Sequence, residues 1–334
     1  MDLCTAVHGH EGRAVKRSPR ALRRLAMATV PVTYALVVLG DTVRVTQSGM
    51  GCRSWPLCNG NIGLVGDYHA MLEQSHRYLA AVVTVLVVVT YLVARRQARH
   101  DRIVRRATLA SVVTIAIQVP LGGITVFAHN AGWTVALHLA GAWLVVAAVT
   151  VTMVVVSKRA RSRAPAVEGQ VAQALTTPLG ISLVAVFLVA VAGMFVLHDH
   201  ATLSCPSWPL CPGSIRSSGV LLQYVHRSMA LLAGLALVWL TVRVWRLERA
   251  TALERNLAAV ILGLLLATAG FGAVVATTGA PEYAQDIHLA LASGLWLSVV
   301  ALASYVLLPG SAGAFADDTA TGTARPSAQS AQCL

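Results

Sequence analysis

Residues 52–58 read CRSWPLC and residues 73–77 read EQSHR, and the chain uses both again as CPSWPLC at 205–211 and QYVHR at 223–227. The two cysteine loops lie 153 positions apart, and His76-Arg77 lies 150 positions before His226-Arg227. His138-Leu139-Ala140 likewise returns after 150 positions as His288-Leu289-Ala290, and Gly122 returns as Gly272. Similarity at a fixed offset marks an internal duplication, so the fold must be read as one unit made twice. Within each unit, 62 positions separate the two histidines.

Most of the chain around these motifs is apolar. Of 334 residues 56% are hydrophobic and only 12% charged, with a mean hydropathy of +0.66, which excludes an ordinary soluble domain. A helix needs about 20 apolar residues to cross a hydrocarbon core of roughly 30 Å. Runs of that kind fall at 25–43, 77–94, 107–128, 134–157, 178–197, 220–242, 257–277 and 287–308. The expected fold is an all-α integral membrane protein of eight transmembrane helices, arranged as two tandem four-helix bundles. Each unit holds an even number of spans, so both copies point the same way and their pseudo-twofold axis runs along the membrane normal. The domain reading is a basic tail at 1–24, bundles at 25–157 and 178–308, a linker at 158–177 and a disordered Ala/Ser/Thr/Gly-rich tail at 309–334. The first run is of full span length behind a basic head, so it reads as a span and not as a cleavable signal.

A net charge of +12 invites a nucleic-acid reading, but the charges sit in the wrong places for one. Arg13, Lys16, Arg17, Arg20, Arg23 and Arg24 precede the first run, and Arg95, Arg96, Arg99, Arg102, Arg105 and Arg106 join the second to the third. Lys158, Arg159, Arg161 and Arg163 follow the fourth, and Arg243, Arg246, Arg249 and Arg255 join the sixth to the seventh. Every second connection is basic. The positive-inside rule then places these segments and both termini in the cytoplasm and the cysteine loops outside, in a plasma membrane. The basic excess is thus topology and contact with anionic lipid, and no nucleic acid is expected.

Cys52, Cys58, Cys205 and Cys211 fall in the outer loops, an oxidising setting, and are expected to close as Cys52–Cys58 and Cys205–Cys211. A structural zinc held by all four is the competing reading. Cys4 and Cys333 lie in the tails and are read as free thiols.

His76, His138, His226 and His288 stand at matched depth near the outer ends of the second, fourth, sixth and eighth spans. A single intramembrane histidine can serve as a helix-to-helix hydrogen bond. Four of them, spaced identically in two copies, point to metal or heme ligation, since ionisable groups are costly at such depth. Paired imidazoles from facing helices grip an iron porphyrin from both sides. His69, His129, His198 and His200 have no counterparts in the other copy and are read as solvated, or at most as proton-transfer groups. His8, His10 and His100 lie in basic cytoplasmic segments and carry no signal.

The copies differ at one informative position. Glu73 stands three residues before His76, on the same helix face, where the second copy has Gln223. A carboxylate beside an iron ligand can move protons or stabilise positive charge, whereas an amide cannot ionise. The first half is therefore the candidate for catalysis and the second for a permanent electron-carrying heme. The plainer reading of Glu73 is a helix-start residue favoured by the helix dipole. Arg77 and Arg227 suit either heme propionates or snorkelling to lipid headgroups. Gly122, Gly123, Gly270 and Gly272 allow close approach of a neighbouring helix or of a macrocycle.

With the duplicated Cys-x-x-Trp-Pro-Leu-Cys loops, Glu-x-x-His-Arg at 73–77, and LGGITV at 121–126 leading to His138, the chain resembles the heme A synthase family, of the bacterial type with both cysteine pairs. The resemblance runs from about Leu25 to Leu308 and leaves out only the tails. It implies a membrane oxidoreductase that converts heme O to heme A, oxidising the porphyrin C8 methyl to a formyl group by successive hydroxylations, and so supplying terminal oxidases. It implies heme b as cofactor on His226 and His288, a substrate heme on His76 and His138, Glu73 as the catalytic carboxylate, and a disulfide at Cys52–Cys58 that assists activity or heme transfer. Heme O synthase and an electron carrier are the partners it suggests, beside the lipid bilayer, and self-association is left open. Arg53-Ser54 where the family often has Pro-Asp, and Gln47 where a small residue is usual, depart from the pattern. Two other classes are weighed: a heme carrier or exporter, which needs the pockets without the carboxylate, and a quinone-linked diheme protein of the cytochrome b561 kind. The latter places its hemes near opposite faces, whereas all four histidines here lie toward one.

Overall fold

The computed structural model describes residues 20–63, 66–158, 165–198, 201–211 and 217–308. Cys4, Cys333, His8, His10, His200, Arg159, Arg161, Arg163, most of the basic tail and the C-terminal tail lie outside those residues, as does the side chain of His198.

Among the described residues the architecture is all helical. Eight helices are long and apolar enough to cross a membrane: α1 Arg20–Val45, α2 Tyr68–Gln97, α3 Arg102–Phe127, α4 Gly132–Lys158, α5 Pro165–His198, α6 Ser218–Arg246, α7 Ala252–Thr277 and α8 Glu282–Leu307. A short 3₁₀ turn at Ala201–Ser204 precedes the second cysteine loop. Tyr68 and Ser218, Arg102 and Ala252, and Gly132 and Glu282 are helix starts 150 residues apart, so the duplication extends to element boundaries. Even the caps recur. Asp67 accepts the Ala70 N–H where Ser217 accepts that of Val220, and Asp101 caps α3 where Thr251 and Glu254 form a capping box on α7.

The helices extend beyond the expected spans at several ends. The second helix starts at Tyr68, nine residues ahead of the apolar run at 77, because Asp67 caps a polar outer turn that hydropathy discounts. The larger difference is α5, which starts at Pro165 and takes up most of the expected 158–177 linker. Its first turns are polar but carry good helix formers behind a proline start, which costs no hydrogen bond there. Val171 and Leu175 from that stretch are buried, and Glu168 meets Lys158 of α4 at 3.2 Å.

Within the first half α1 packs on α2 and α4, α2 on α3, and α3 on α4; within the second α5 packs on α6 and α8, α6 on α7, and α7 on α8. The halves meet through α4 against α8, α1 against α8, and α4 against α5. That junction holds the largest core: Trp143, Leu175, Leu179, Leu237, Leu240, Ile261, Trp296, Val299 and Leu302. Trp143 and Trp296 stack at 5.7 Å, the Trp296 indole donates to the Trp143 carbonyl at 2.8 Å, and Tyr34 of α1 donates to the Ala290 carbonyl of α8. Facing outward are Val82, Val85 and Leu92 on α2, Leu231, Leu232 and Leu235 on α6, and Leu266 on α7, apolar surface that a bilayer covers.

Candidate functional site

Both cysteine loops close as disulfides, Cys52–Cys58 and Cys205–Cys211, which uses up the thiolates a zinc site would need. Each loop contains a cis Trp-Pro bond, Trp55-Pro56 and Trp208-Pro209. Each is tied to the helix after it by the arginine of its His-Arg pair. Arg77 donates to the carbonyls of Ser54 at 2.7 Å, Pro56 at 3.2 Å and Cys52 at 3.4 Å. Arg227 donates to those of Ser207 at 2.8 Å, Pro209 at 3.1 Å and Cys205 at 3.2 Å. These arginines therefore fold the loop onto the bundle, a partner set that spacing alone did not suggest.

On this shared frame the halves diverge at Glu73 and Gln223, each only 5% exposed. Glu73 takes the remaining Arg77 Nη2 proton on Oε1 and accepts the Cys52 N–H on Oε2 at 2.8 Å. Gln223 turns aside and donates to the carbonyls of Ala201 and Thr202 at 3.0 and 3.1 Å. The carboxylate of the first half is thus held by a cation and a backbone amide at the root of its loop, while the amide of the second serves the neighbouring 3₁₀ turn. The loops also seat differently. Trp55 lies against Gly123, where an added Cβ would come within 3.1 Å of the indole, whereas Trp208 is 54% exposed and Ala273 stands at the matching position.

All four histidines are half-buried, and each faces a glycine on the preceding helix of its half. A Cβ on Gly40 would stand 2.9 Å from His76, on Gly122 3.1 Å from His138, on Gly193 3.0 Å from His226 and on Gly272 3.1 Å from His288. His76 and His138 stand on α2 and α4 of the first half, and His226 and His288 on α6 and α8 of the second. Among the described residues no three His, Cys, Asp or Glu side chains converge to hold a bare ion. Two imidazoles suit a metal whose remaining ligands arrive with a macrocycle.

Gly40 and Gly193 were missed in the sequence although they lie 153 apart, the offset of the cysteine loops. Gln118 and Thr268, 150 apart, were missed as well, and they hold the fourth-span imidazoles differently. The Gln118 amide nitrogen lies 2.8 Å from the His138 carbonyl and 3.0 Å from His138 Nδ1. His288 Nδ1 faces the Thr268 carbonyl at 3.0 Å. Asp286, two residues before His288, meets Asp41 and Thr42 of α1, and Asp41 pairs with Arg44 at 2.7 Å. Gly123 packs on Trp55, and Gly270 faces open space. His69 and His129 are exposed, and Gln47, at the usual small-residue position, adopts a left-handed φ of 54°.

An eight-span membrane protein with duplicated, glycine-backed imidazole pairs and one retained carboxylate is the class these elements define. The family model described as cytochrome oxidase assembly protein, COX15-CtaA, matches residues 65–300, and the chain belongs to that family. It is 31% identical over 302 residues to a heme A synthase of Symbiobacterium thermophilum, covering 87% of this chain and 96% of the relative. Heme A synthases of Geobacillus thermodenitrificans and Geobacillus kaustophilus are 28% and 27% identical over 299 and 298 residues, each covering 86% of this chain and 91% of the relative.

Proposed function

We propose that this chain converts heme O to heme A, oxidising the C8 methyl to a formyl group by successive hydroxylations, and so supplies heme A for terminal oxidases. The observation that carries the reading is the divergence of Glu73 from Gln223 on an otherwise duplicated frame, in a family whose relatives bear that activity in their name. The half at 25–157 is the substrate bundle, with His76 and His138 flanking heme O. The half at 178–308 is the cofactor bundle, with His226 and His288 on heme b, and the helix that opens it begins at Pro165. Both termini and the basic connections face the cytoplasm and the cysteine loops face outward, as the positive-inside rule requires. Heme O enters from the bilayer, and heme O synthase and an electron carrier are its expected partners.

The residues present fit a porphyrin in each half. Four glycines leave the space a Cβ would fill beside each imidazole, and the two imidazoles of a half stand on alternate helices, α2 and α4 or α6 and α8. His288 has a carbonyl at Nδ1, so Nδ1 carries the proton and Nε2 keeps its lone pair for iron, the arrangement of a permanent ligand. At His138 the Gln118 amide nitrogen stands at Nδ1 instead, so this ring lacks the carbonyl that fixes the His288 proton and frees its Nε2 for iron. That setting suits a substrate that must come and go. When bound, heme b supplies electron transfer to the reacting half. Glu73, held by Arg77 and the Cys52 amide, is the group that takes protons from the reacting methyl carbon or stabilises positive charge there. Arg77 and Arg227 shape their loops, and any propionate contact they make adds to that role.

Co-expression with a heme O source, followed by chromatography of extracted hemes, tests this. The wild type should yield heme A, and Glu73→Gln should retain heme b and yield none. Heme A at wild-type levels from Glu73→Gln would remove the role assigned to the carboxylate, and no heme A from the wild type would remove the function.

A further inference from the structure

We propose that His69 is the proton-transfer residue connecting Glu73 to the outer aqueous phase. The inference rests on the assignment of Glu73 to the reacting half and extends it. Glu73 is 5% exposed and hemmed in by Arg77 and the Cys52–Cys58 loop, so a proton it takes up needs a way out. One helical turn earlier on α2 stands His69, exposed to solvent. Positions four apart share a helix face with their Cβ atoms about 5–6 Å apart, and the proposed path places one water between the two side chains.

His69 is also oriented. Its Nδ1 lies 2.8 Å from the Ser48 hydroxyl, which is fully buried and 2.7 Å from the Thr46 hydroxyl. The segment from Ser48 to Cys52 links this hydroxyl to the carboxylate. Gly51 lies so close on α2 that an added Cβ would stand 2.4 Å from the Ala70 nitrogen, and the next residue gives its N–H to Glu73. With Nδ1 engaged by Ser48, Nε2 is the atom left for exchange. A proton passes from the Glu73 carboxyl to His69 Nε2 through the bridging water, and the imidazolium releases it to bulk water. Both groups are restored and no electrons move in this step.

The second half bears on the reading independently. Gly219 stands where the repeat would place His69, and Gln223 where it would place Glu73. Both groups of the proposed relay are absent together from the copy assigned no proton chemistry, while His76 and Arg77 recur there as His226 and Arg227.

The test measures the initial rate of heme A formation in membranes supplied with heme O, for wild type, His69→Ala, His69→Gln and Glu73→Gln, with and without imidazole in the outer phase. Each rate is compared with wild type at the same imidazole concentration. Both His69 variants should be slower by on the order of tenfold or more. Imidazole should return His69→Ala toward the wild-type rate with a saturable dependence, while the heme b Soret band stays unchanged. A wild-type rate in either His69 variant overturns the proposal, and so does slowing that imidazole fails to relieve, which would mark a structural role. Glu73→Gln should stay inactive with or without imidazole. Should Glu73→Gln make heme A at the wild-type rate, the underlying site assignment falls, whatever the His69 variants do.

Discussion

Adding one methyl group at each of the four histidine-facing glycines should separate the two halves by function. At Gly193 the new Cβ would meet His226 Cε1 at 3.0 Å, and at Gly272 it would meet His288 Cε1 at 3.1 Å, where ordinary contact begins near 3.4 Å. The ring must then retreat by a few tenths of an ångström, away from the position proposed to hold iron. Overpacking of this kind costs about 1–3 kcal/mol. At about 1.4 kcal/mol per tenfold, heme b affinity should fall roughly 5- to 150-fold in Gly193→Ala and Gly272→Ala. Gly40→Ala and Gly122→Ala, with Cβ positions 2.9 and 3.1 Å from His76 and His138, should leave heme b in place and slow the conversion of heme O. Gly263→Ala is the control, because its Cβ would have nothing within 4 Å. Heme b per purified chain, read from a pyridine hemochrome, and heme A yield from the same membranes give both numbers. Full heme b in Gly193→Ala, or its loss in Gly40→Ala, would refute the assignment of the halves.

Gly51→Ala should cut heme A yield without loss of heme b, because its Cβ would fall 2.4 Å from the Ala70 nitrogen and drive the loop and the Cys52 amide off Glu73; extracted-heme chromatography reads this directly. Gln47→Gly should raise the thermal midpoint, since it relieves a left-handed residue at a cost of about 1–2 kcal/mol; an unchanged or lower midpoint would count against strain at that turn. Thr251→Ala, which removes the capping box of α7, should lower stability by about 1 kcal/mol and leave heme content and activity as they are. Denaturation in detergent together with the Soret band checks both halves of that statement.

The spans were legible because a membrane demands long apolar helices, and the cysteine pairs because each spacing repeats inside its own half. What hydropathy could not see was helix that is polar. The capped outer turn at Asp67 and the stretch from Pro165 to Thr177 are helical for local reasons, a cap and good helix formers, so the spans at 77 and 178 were drawn short. The histidines and Glu73 stood out because ionisable groups are rare in such segments. Gly40 and Gly193 did not, since glycine in an apolar helix is unremarkable until its neighbour is known. Their offset of 153 also differs from the 150 of the later helices, because three more residues join Cys58 to Tyr68 than join Cys211 to Ser218. The partners of Arg77 and Arg227 are loop carbonyls, and a carbonyl has no letter in a sequence.

The way the halves touch has a chemical consequence. The first and eighth helices pack together, the fourth and fifth do the same in mirror assignment, and the fourth meets its own copy, the eighth. Reciprocity of this sort is the signature of an isologous homodimer, in which one patch is complementary to itself. Two identical half-length chains paired by such a surface are obliged to carry identical chemistry. With both copies in one chain the halves can differ, as they do at Glu73 and Gln223.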